Sequence, residues 1–177
     1  KSIEKVYIPE SVKIIHRRAF IGCKNLKEIN LPESLEKIDR DAFNGCTSLE
    51  VIRIPKNVEY IGESAFSGCT DLKKISLPES LKKIKEMTFS GCENLNNIEF
   101  PQNIIDIEMG AFMGCENLEV VKLPDTLNHM EDSVFSGCKA LREVVLPNNL
   151  KYIDDAAFNG CTSLSSIYLS DSVEGLG

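Results

Sequence analysis

The stretch LKEINLPESLEKIDRDAFNGC, from Leu26 to Cys46, returns as LEVIRIPKNVEYIGESAFSGC from Leu49 to Cys69. The same pattern continues along the chain at a period of 23 residues, with no insertion. The phenylalanines and cysteines carry the period most clearly, at Phe20, Phe43, Phe66, Phe89, Phe112, Phe135 and Phe158 and at Cys23, Cys46, Cys69, Cys92, Cys115, Cys138 and Cys161. A fixed period of about 20 to 29 residues indicates a solenoid, in which each unit buries its apolar face against its neighbours.

The repeat defines how the chain is organised. Positions are numbered within each unit from Lys1, so that proline occupies position 9, phenylalanine position 20 and cysteine position 23. Seven full units span residues 1–161 and a partial eighth spans residues 162–177, which predicts a single array over residues 1–177. Neither end shows the polar capping unit that covers the terminal cross-section of a solenoid. We therefore expect the array to be a segment of a longer protein.

Each unit contains one clearly predicted strand. The segment Leu26–Leu31 has the pattern L-x-x-I-x-L, in which apolar and polar residues alternate as in a strand that buries one face. Pro32 follows and ends the strand, because proline has no N–H group to donate to a ladder. Leu35 and Ile38 then favour a short second extended segment, with a helical turn as the alternative.

The polar residues of the unit predict turns. Position 11 holds Ser, Asn or Thr in every unit, and such residues commonly bond their own backbone in turns. The unit closes with a segment such as Asp41–Cys46, in which Asp or Ser collects at the start and glycine always precedes the cysteine. This pattern is typical of one short helical turn, capped at its start and ended by a left-handed residue.

Together these elements predict an α/β repeat: a right-handed solenoid with a parallel β-sheet on one side and short helical turns on the other. Apolar side chains should point inward at eight positions of each unit, represented by Val12, Ile15, Ala19, Phe20, Cys23, Leu26, Ile29 and Leu31. The phenylalanines should stack into a continuous aromatic spine. Inward positions hardly vary between units, whereas outward positions vary freely.

Composition excludes several classes of partner. The formal net charge is −7 and the isoelectric point is near 5.0, which argues against binding to nucleic acid or to an anionic membrane. No apolar run approaches the roughly 18 to 20 residues that span a bilayer, so we expect no membrane insertion by this segment.

The unit L-x-x-I-x-L-P-x-S-L-x-x-I-x-x-x-A-F-x-G-C resembles the BspA-like leucine-rich repeat, the Treponema pallidum type. The resemblance covers essentially the whole chain, with few departures: Thr88 and Val134 replace the alanine, Phe100 replaces the strand leucine and Ser170 replaces the eighth proline. It implies a leucine-rich-repeat solenoid whose sheet lies on the concave face. It also implies a location at the cell surface or in the secreted fraction, and binding to host matrix proteins or to other cells.

The cysteines, histidines and acidic pairs offer little catalytic chemistry. One cysteine per unit lacks the close spacing of a zinc site and indicates a column of small buried side chains, although neighbouring thiols about 5 Å apart leave disulfides as an alternative. His16 and His129 lie five units apart and cannot share a site. Pairs such as Glu131-Asp132 and Asp154-Asp155 lack a calcium loop and fit solvated capping acids. We expect no cofactor, no metal and no enzyme activity in this segment.

The candidate binding residues lie on the exposed side of the predicted strands. Positions 5 and 7 flank the inward isoleucine and carry chemically mixed side chains, as a surface that recognises one irregular protein partner would. At position 7 we assign Tyr7, Arg53, Glu99, Lys122, Val145 and Tyr168 as partner-binding residues, with the tyrosines as anchors. The alternative is that they are ordinary solvated strand residues. Tyr60, Ile105 and Tyr152 on the opposite flank predict a second patch.

The sequence thus predicts a non-enzymatic adhesion module that presents a rigid sheet face to a protein or glycoprotein partner. Two alternatives remain open at this stage. In the first, the array is a spacer or stalk in a multidomain surface protein. In the second, the repeats select the substrate of an enzyme whose catalytic domain lies elsewhere.

Overall fold

A computed structural model describes residues 3–177 and shows two columns of short parallel strands. In chain order these are β1 (Lys5–Tyr7), β2 (Ile14–Ile15), β3 (Glu28–Asn30), β4 (Lys37–Ile38), β5 (Val51–Arg53), β6 (Tyr60–Ile61), β7 (Lys74–Ser76), β8 (Lys83–Ile84), β9 (Asp106–Ile107), β10 (Val120–Lys122), β11 (His129–Met130), β12 (Glu143–Val145), β13 (Tyr152–Ile153) and β14 (Gly175–Leu176). The predicted second extended segment is confirmed as the column of two-residue strands. The chain is a parallel β-solenoid of about seven turns.

The three-residue strands form what we call the long-strand sheet, at positions 5 to 7. Their pairing is interrupted: β1 pairs with β3, β5 with β7, and β10 with β12. In unit 5 only a single bridge, between Asn97 and Val120, joins the corresponding segment to a neighbour. Four of these strands have the burial pattern that the alternation predicts, with a buried central residue between two exposed ones, whereas Val6 in β1 and Val120 in β10 are half-buried.

The two-residue strands form the short-strand sheet, at positions 14 and 15. Here β2, β4 and β6 pair in one group, and β8, β9, β11, β13 and β14 pair in a second group. The break between β6 and β8 falls at the junction of units 3 and 4, where the long-strand sheet is paired. Each junction between units is therefore bonded through at least one of the two sheets.

The core is a rod of side chains between the sheets and the closing turns. All seven phenylalanines at position 20 stack in sequence, with neighbouring ring centroids 5.2 to 5.9 Å apart. This confirms the predicted aromatic spine. The five central rings are completely buried, whereas Phe20 and Phe158 at the two ends are only partly covered.

The closing segment of each unit is not the helical turn that the sequence predicts; the described residues contain no helix. It consists of consecutive tight turns, because its backbone N–H groups donate alternately to their own coil and to the next one. Ala42 donates to the Asp39 carbonyl three residues earlier, whereas Phe43 donates to the Ala65 carbonyl of the next coil. A helix would need all of these N–H groups to donate within the coil.

Backbone conformation supports this correction. Gly45 has a φ of 72°, which confirms the predicted left-handed residue at the end of the segment. A second left-handed position, which the sequence analysis missed, opens the segment at position 18. It has a φ of 56° at Asp41 and 53° at Ser64, although most residues there are not glycine. A left-handed residue at that point interrupts any helical turn.

The polar residues at position 11 also differ from the prediction. Their side chains bond the preceding coil and not their own backbone. Ser34 donates through Oγ to the Val12 carbonyl at 2.8 Å, and Asn57 donates through Nδ2 to the Glu33 carbonyl at 2.9 Å. Every coil from the second to the eighth has such a bond, so the column ties neighbouring coils together.

The cysteines are free thiols, as the sequence analysis favoured, and six of the seven are buried. Each buried thiol also acts as a hydrogen-bond donor between coils. Cys69 Sγ donates to the Phe43 carbonyl at 3.2 Å, and that carbonyl already accepts the N–H of Cys46. Five further thiols make the same contact, at 3.1 to 3.3 Å. Cysteine is therefore both a small core residue and the donor that satisfies the second lone pair of the carbonyl.

The spine predicts a large effect of removing one ring. Phe89→Ala should lower the free energy of unfolding by about 3 to 5 kcal/mol, because it leaves a cavity between two stacked rings. Urea denaturation followed by circular dichroism measures the change. Ser90→Ala is the matched control: Ser90 is partly exposed and should change stability by less than about 0.5 kcal/mol. Equal losses in the two variants would contradict the role of the spine.

The reactivity of the thiols tests whether the cysteine column is buried. Burial raises the pKa of the Cys46 thiol to about 12 and also raises the pKa of Cys69, Cys92 and Cys115. Because the thiolate is the reactive form, these groups should resist alkylation at pH 8 in the native protein. Only Cys23, which is partly exposed, should react with iodoacetamide before unfolding. Mass spectrometry of the labelled peptides would contradict the burial if Cys92 reacted as fast as Cys23.

Candidate binding face on the long-strand sheet

The six predicted binding residues all lie at position 7, and all are exposed. Tyr7, Arg53, Lys122 and Val145 each end a strand of the long-strand sheet, and the strand alternation turns these side chains outward. Tyr7 is 73% exposed and Tyr168 is 86% exposed. Solvent therefore reaches the two rings that the sequence analysis proposed as anchors.

The register shows which of these residues are neighbours. Lys122 is directly opposite Val145, whereas Tyr7 is opposite Asn30 and Arg53 is opposite Ser76. Glu99, Lys122, Val145 and Tyr168 follow one another in units 5 to 8 and form one continuous row. Tyr7 and Tyr168 are seven units apart, or about 34 Å at the usual strand spacing. A small partner would contact one end of the row and not both.

Where strand pairing lapses, the face has depressions that the sequence analysis missed. One of about 440 Å³ lies between units 4 and 5 and is lined by Lys74, Ser76, Glu79, Asn97 and Glu99, among others. A second, of about 360 Å³, lies on the other side of the same unit-5 segment and includes Gln102 and Lys122. A third, of about 460 Å³, lies between units 7 and 8 and includes Val145 and Tyr168.

One residue marks unit 5 as different. Phe100 occupies the position where the other units have leucine or isoleucine, and it is buried edge-on against Phe112, with ring centroids 5.5 Å apart. The strand segment of unit 5 also pairs fully with neither neighbour. The larger ring is the feature of the sequence that distinguishes this unit from the others. Nothing in side-chain size explains the lapses between units 2 and 3 or between units 7 and 8.

The residues predicted as a second patch, Tyr60, Ile105 and Tyr152, do not all lie in one place. Tyr60 and Ile105 line one depression of about 230 Å³ on the short-strand side, together with Ile61 and Leu81. Tyr152 lies apart from them. Its ring meets the His129 ring edge-on at a centroid distance of 6.1 Å, and its hydroxyl donates to Glu174 at 2.9 Å.

Charge is distributed unevenly along the array. Residues 1–92 contain 16 basic and 13 acidic side chains, whereas residues 93–177 contain 4 basic and 14 acidic ones. Many lysines pair with an acid at the same or a neighbouring position of the adjacent coil, as Lys73 does with Glu50 at 2.8 Å and Lys139 does with Glu116 at 2.7 Å. Such exposed pairs are worth little individually, but they favour one stacking register over a slipped one.

The acidic side chains of units 5 and 6 converge near Glu131. Burial raises the pKa of Glu131, and the negative charges of Asp106 and Glu108 raise it further. The N–H of Met109 donates to the Glu131 carboxylate at 2.8 Å and partly offsets these effects. Within residues 3–177 no group of three or more His, Cys, Asp or Glu side chains has a metal-binding arrangement.

The two histidines are in separate places, five units apart. His16 is exposed and lies 3.7 Å from Asp39, between Nδ1 and Oδ2. His129 is partly covered, and its Nε2 lies 2.7 Å from Asp154 Oδ2. Each histidine therefore pairs with a nearby acid.

The raised pKa of Glu131 predicts a pH-dependent effect on stability. A carboxyl whose pKa is higher in the folded state penalises folding when it is ionised, so Glu131→Gln should stabilise the protein at pH 7 and make no difference near pH 3. Solvent screening limits the gain to about 0.5 kcal/mol or less. Thermal melts at both pH values measure it. Glu93→Gln, at an exposed site, is the control, and a loss of stability for Glu131→Gln at pH 7 would contradict the assignment.

Comparison with known proteins identifies the family. The sequence profile of the BspA type leucine rich repeat region matches residues 1–108 and 66–177, in six copies. The chain belongs to the BspA-type leucine-rich repeat family. This array is also similar to the leucine-rich repeat protein of Treponema pallidum, with 33% identity and a TM-score of 0.86 over 91% of this chain and 78% of that one.

Two further bacterial structures resemble this BspA-type array. The leucine-rich repeat protein of Eubacterium ventriosum ATCC 27560 is 30% identical, with a TM-score of 0.61 over 98% of this chain and 41% of that one. A leucine rich cell surface protein of Faecalibacterium prausnitzii A2-165 is 25% identical, with a TM-score of 0.57 over 99% of this chain and 60% of that one. The array spans less than two thirds of both proteins. No curated protein matches it.

The structure and the family match indicate the same kind of repeat. The chain is a leucine-rich-repeat array of the BspA type. Among residues 3–177 there is no helix of the length and apolar character needed to cross a membrane. Its right-handed coil and the concavity of the long-strand face stay predictions.

Proposed function

We propose that the array is a non-enzymatic binding module that presents the long-strand face to a protein or glycoprotein partner. The observation that carries the proposal is the contrast between a nearly constant core and a chemically varied outer face. At position 7 the exposed side chains change from tyrosine to arginine, glutamate, lysine and valine, while position 6 always holds a buried or half-buried Val or Ile. Such variation on a fixed frame suits recognition of one irregular surface.

The core supports this role by holding the face in place. Each coil bonds to its neighbours through its strands, its closing turns, its position-11 side chains and its thiols. The position-7 side chains therefore stand on a backbone with few alternative conformations. A surface ordered before binding loses less entropy when it binds.

Relatives support a location at the cell surface or in the secreted fraction. The Faecalibacterium relative is described as a cell surface protein, and a further similar structure, 25% identical with a TM-score of 0.51, is the pneumococcal vaccine antigen PcpA. Host matrix proteins and host cell surfaces are the partners that fit such a location. We propose that residues 1–177 act there as one array within a surface protein.

The test is substitution of Arg53 together with three residues of the continuous row. Arg53, Glu99, Lys122 and Tyr168 are replaced together by alanine, and binding to a panel of immobilised host matrix glycoproteins is measured by surface plasmon resonance. The wild-type array should bind at least one of them. The variant should bind it at least about tenfold more weakly, because loss of a few interface anchors removes most of the affinity.

The matched control replaces exposed charges away from the long-strand face. Arg17, Lys24 and Glu93 supply the same charges as Arg53, Lys122 and Glu99 and lie at positions 17 and 1 of their units. Their triple alanine variant should bind as the wild type does. The proposal fails if both variants bind equally well, or if no glycoprotein in the panel binds the array.

A further inference from the structure

We propose that the methionines at the junction of units 4 and 5 form a binding site for a soft monovalent metal ion, Cu(I) or Ag(I). The site lies on the closing turns and not on the long-strand face, so it stands apart from the proposed function. Three features occur together there: methionines at polar positions, a gap left between them by a glycine, and acids without an ion-pair partner. The sequence analysis considered cysteine, histidine and acidic side chains as ligands and overlooked the thioethers.

Three of the four methionines replace polar residues in neighbouring coils. Met109 is at position 17, where every other complete unit has a charged residue, and Met113 is at position 21, where five of the other six complete units have Asn or Ser. Met87 is at position 18, where no other complete unit has a large apolar residue. The fourth methionine, Met130, is completely buried in the core. Core packing therefore accounts for Met130 and not for the other three.

The backbone brings these three residues together around Gly110. The N–H of Met87 donates to the Met109 carbonyl at 3.0 Å, and the N–H of Met113 donates to the Gly110 carbonyl at 3.0 Å. A Cβ atom at Gly110 would lie 3.5 Å from Met87 Cγ and 3.8 Å from Met113 Cβ. Glycine therefore leaves a gap beside two of the methionines, where every other complete unit has a side chain.

The methionine side chains are accessible and can adapt to an ion. Met109 is 38% exposed, and Met87 and Met113 are half-buried. A methionine side chain has three rotatable bonds and a polarizable sulfur, so the sulfurs can turn toward one ion without a change in the backbone. Thioether ligands select soft ions such as Cu(I), whereas Mg²⁺ and Ca²⁺ prefer oxygen ligands.

The surrounding charge favours a cation. Glu86 and Asp132 occupy position 17 in the coils on either side of Met109, and the Glu131 carboxylate accepts the N–H of Met109 at 2.8 Å. None of these three acids forms an ion pair with another residue of the range 3–177. A cation among the methionines would gain from their negative charge.

An apolar docking patch is the alternative use of exposed methionines, because their side chains adapt to many apolar surfaces. The acids argue against it, since a partner that covered the patch would also desolvate carboxylates that have no ion-pair partner. Lys85, the base next to Glu86 in the chain, already pairs with Glu108 at 2.6 Å. A small cation avoids this cost because it compensates the same charges.

The test follows the methionine methyl groups by proton–carbon NMR of protein with isotope-labelled methionine. The protein carries Cys23→Ser, because that partly exposed thiol would compete for the probe. Titration with silver nitrate in chloride-free buffer should shift the signals of Met87, Met109 and Met113 and leave that of Met130 in place. Cu(I) kept reduced by ascorbate should shift the same three signals, whereas Mg²⁺ and Ca²⁺ should shift none.

Leucine substitutions separate the sulfur from the apolar volume. Replacement of Met109 and Met113 together by leucine removes two sulfurs but retains the size of the side chains, so the fold should be kept. The affinity for silver, measured from the titration of the Met87 signal, should fall at least about tenfold. Met130→Leu is the matched control and should bind silver as the Cys23→Ser protein does.

Three results would overturn the inference. In the first, silver shifts none of the three signals, which would leave an apolar partner as the ligand of the patch. In the second, the Met130 signal shifts as much as the others, which would indicate binding to core thiols or loss of structure. In the third, the double leucine variant binds silver as tightly as the Cys23→Ser protein, so that carboxylates and not sulfurs hold the ion. None of these results would bear on the long-strand face as a binding surface.

Discussion

The structure depends on one constraint: each coil must lie in register on the next, so that every position of one 23-residue unit lies on the same position of its neighbour. Alternate N–H groups of the closing turns enforce it, since Phe43 and Gly45 donate to carbonyls of the following coil while the residues between them donate within their own. The phenylalanine carbonyls add a second link, because those of the first six units each accept one bond from their own coil and one from the thiol of the next. Insertion of a single residue would misplace all of these donors at once, which explains a period without interruption.

Because of this stacking, the long-strand sheet is less constrained to pair at every junction than the rest of the coil. The closing turns bond at every junction between complete units, so the strands at positions 5 to 7 need not pair everywhere for the coil to hold its place. Pairing lapses at several junctions, and depressions lie at three of them. The face is therefore uneven although its frame is regular. The side chains beside each lapse, such as Glu99 and Val145, border these depressions.

Charge adds a second irregularity on the same regular frame. Lysines and arginines of the first four units largely neutralise the acids of their own and neighbouring coils, whereas units 5 and 6 contain only Lys122 against nine acids. Four of these acids pair with lysine or arginine side chains of units 4 and 7, as Asp106 does with Lys83 and Glu116 does with Lys139. Glu131 instead accepts a hydrogen bond from the backbone N–H of Met109, and burial and its acidic neighbours raise its pKa. The net negative charge of the array is thus concentrated in its C-terminal half.

The sequence by itself determined the solenoid, the strand and its inward residues, the aromatic spine, the buried thiols and the outward row from Tyr7 to Tyr168. It could do so because each is a periodic property, repeated seven times with the same spacing. It misjudged the closing segment: a polar start and a closing glycine are equally compatible with a helical turn and with tight turns whose alternate N–H groups bond another coil. It likewise assigned the position-11 side chains to their own backbone. Only the tertiary structure decided these partners and the places where strands separate, because both depend on contacts between residues 22 to 26 apart that no local pattern specifies.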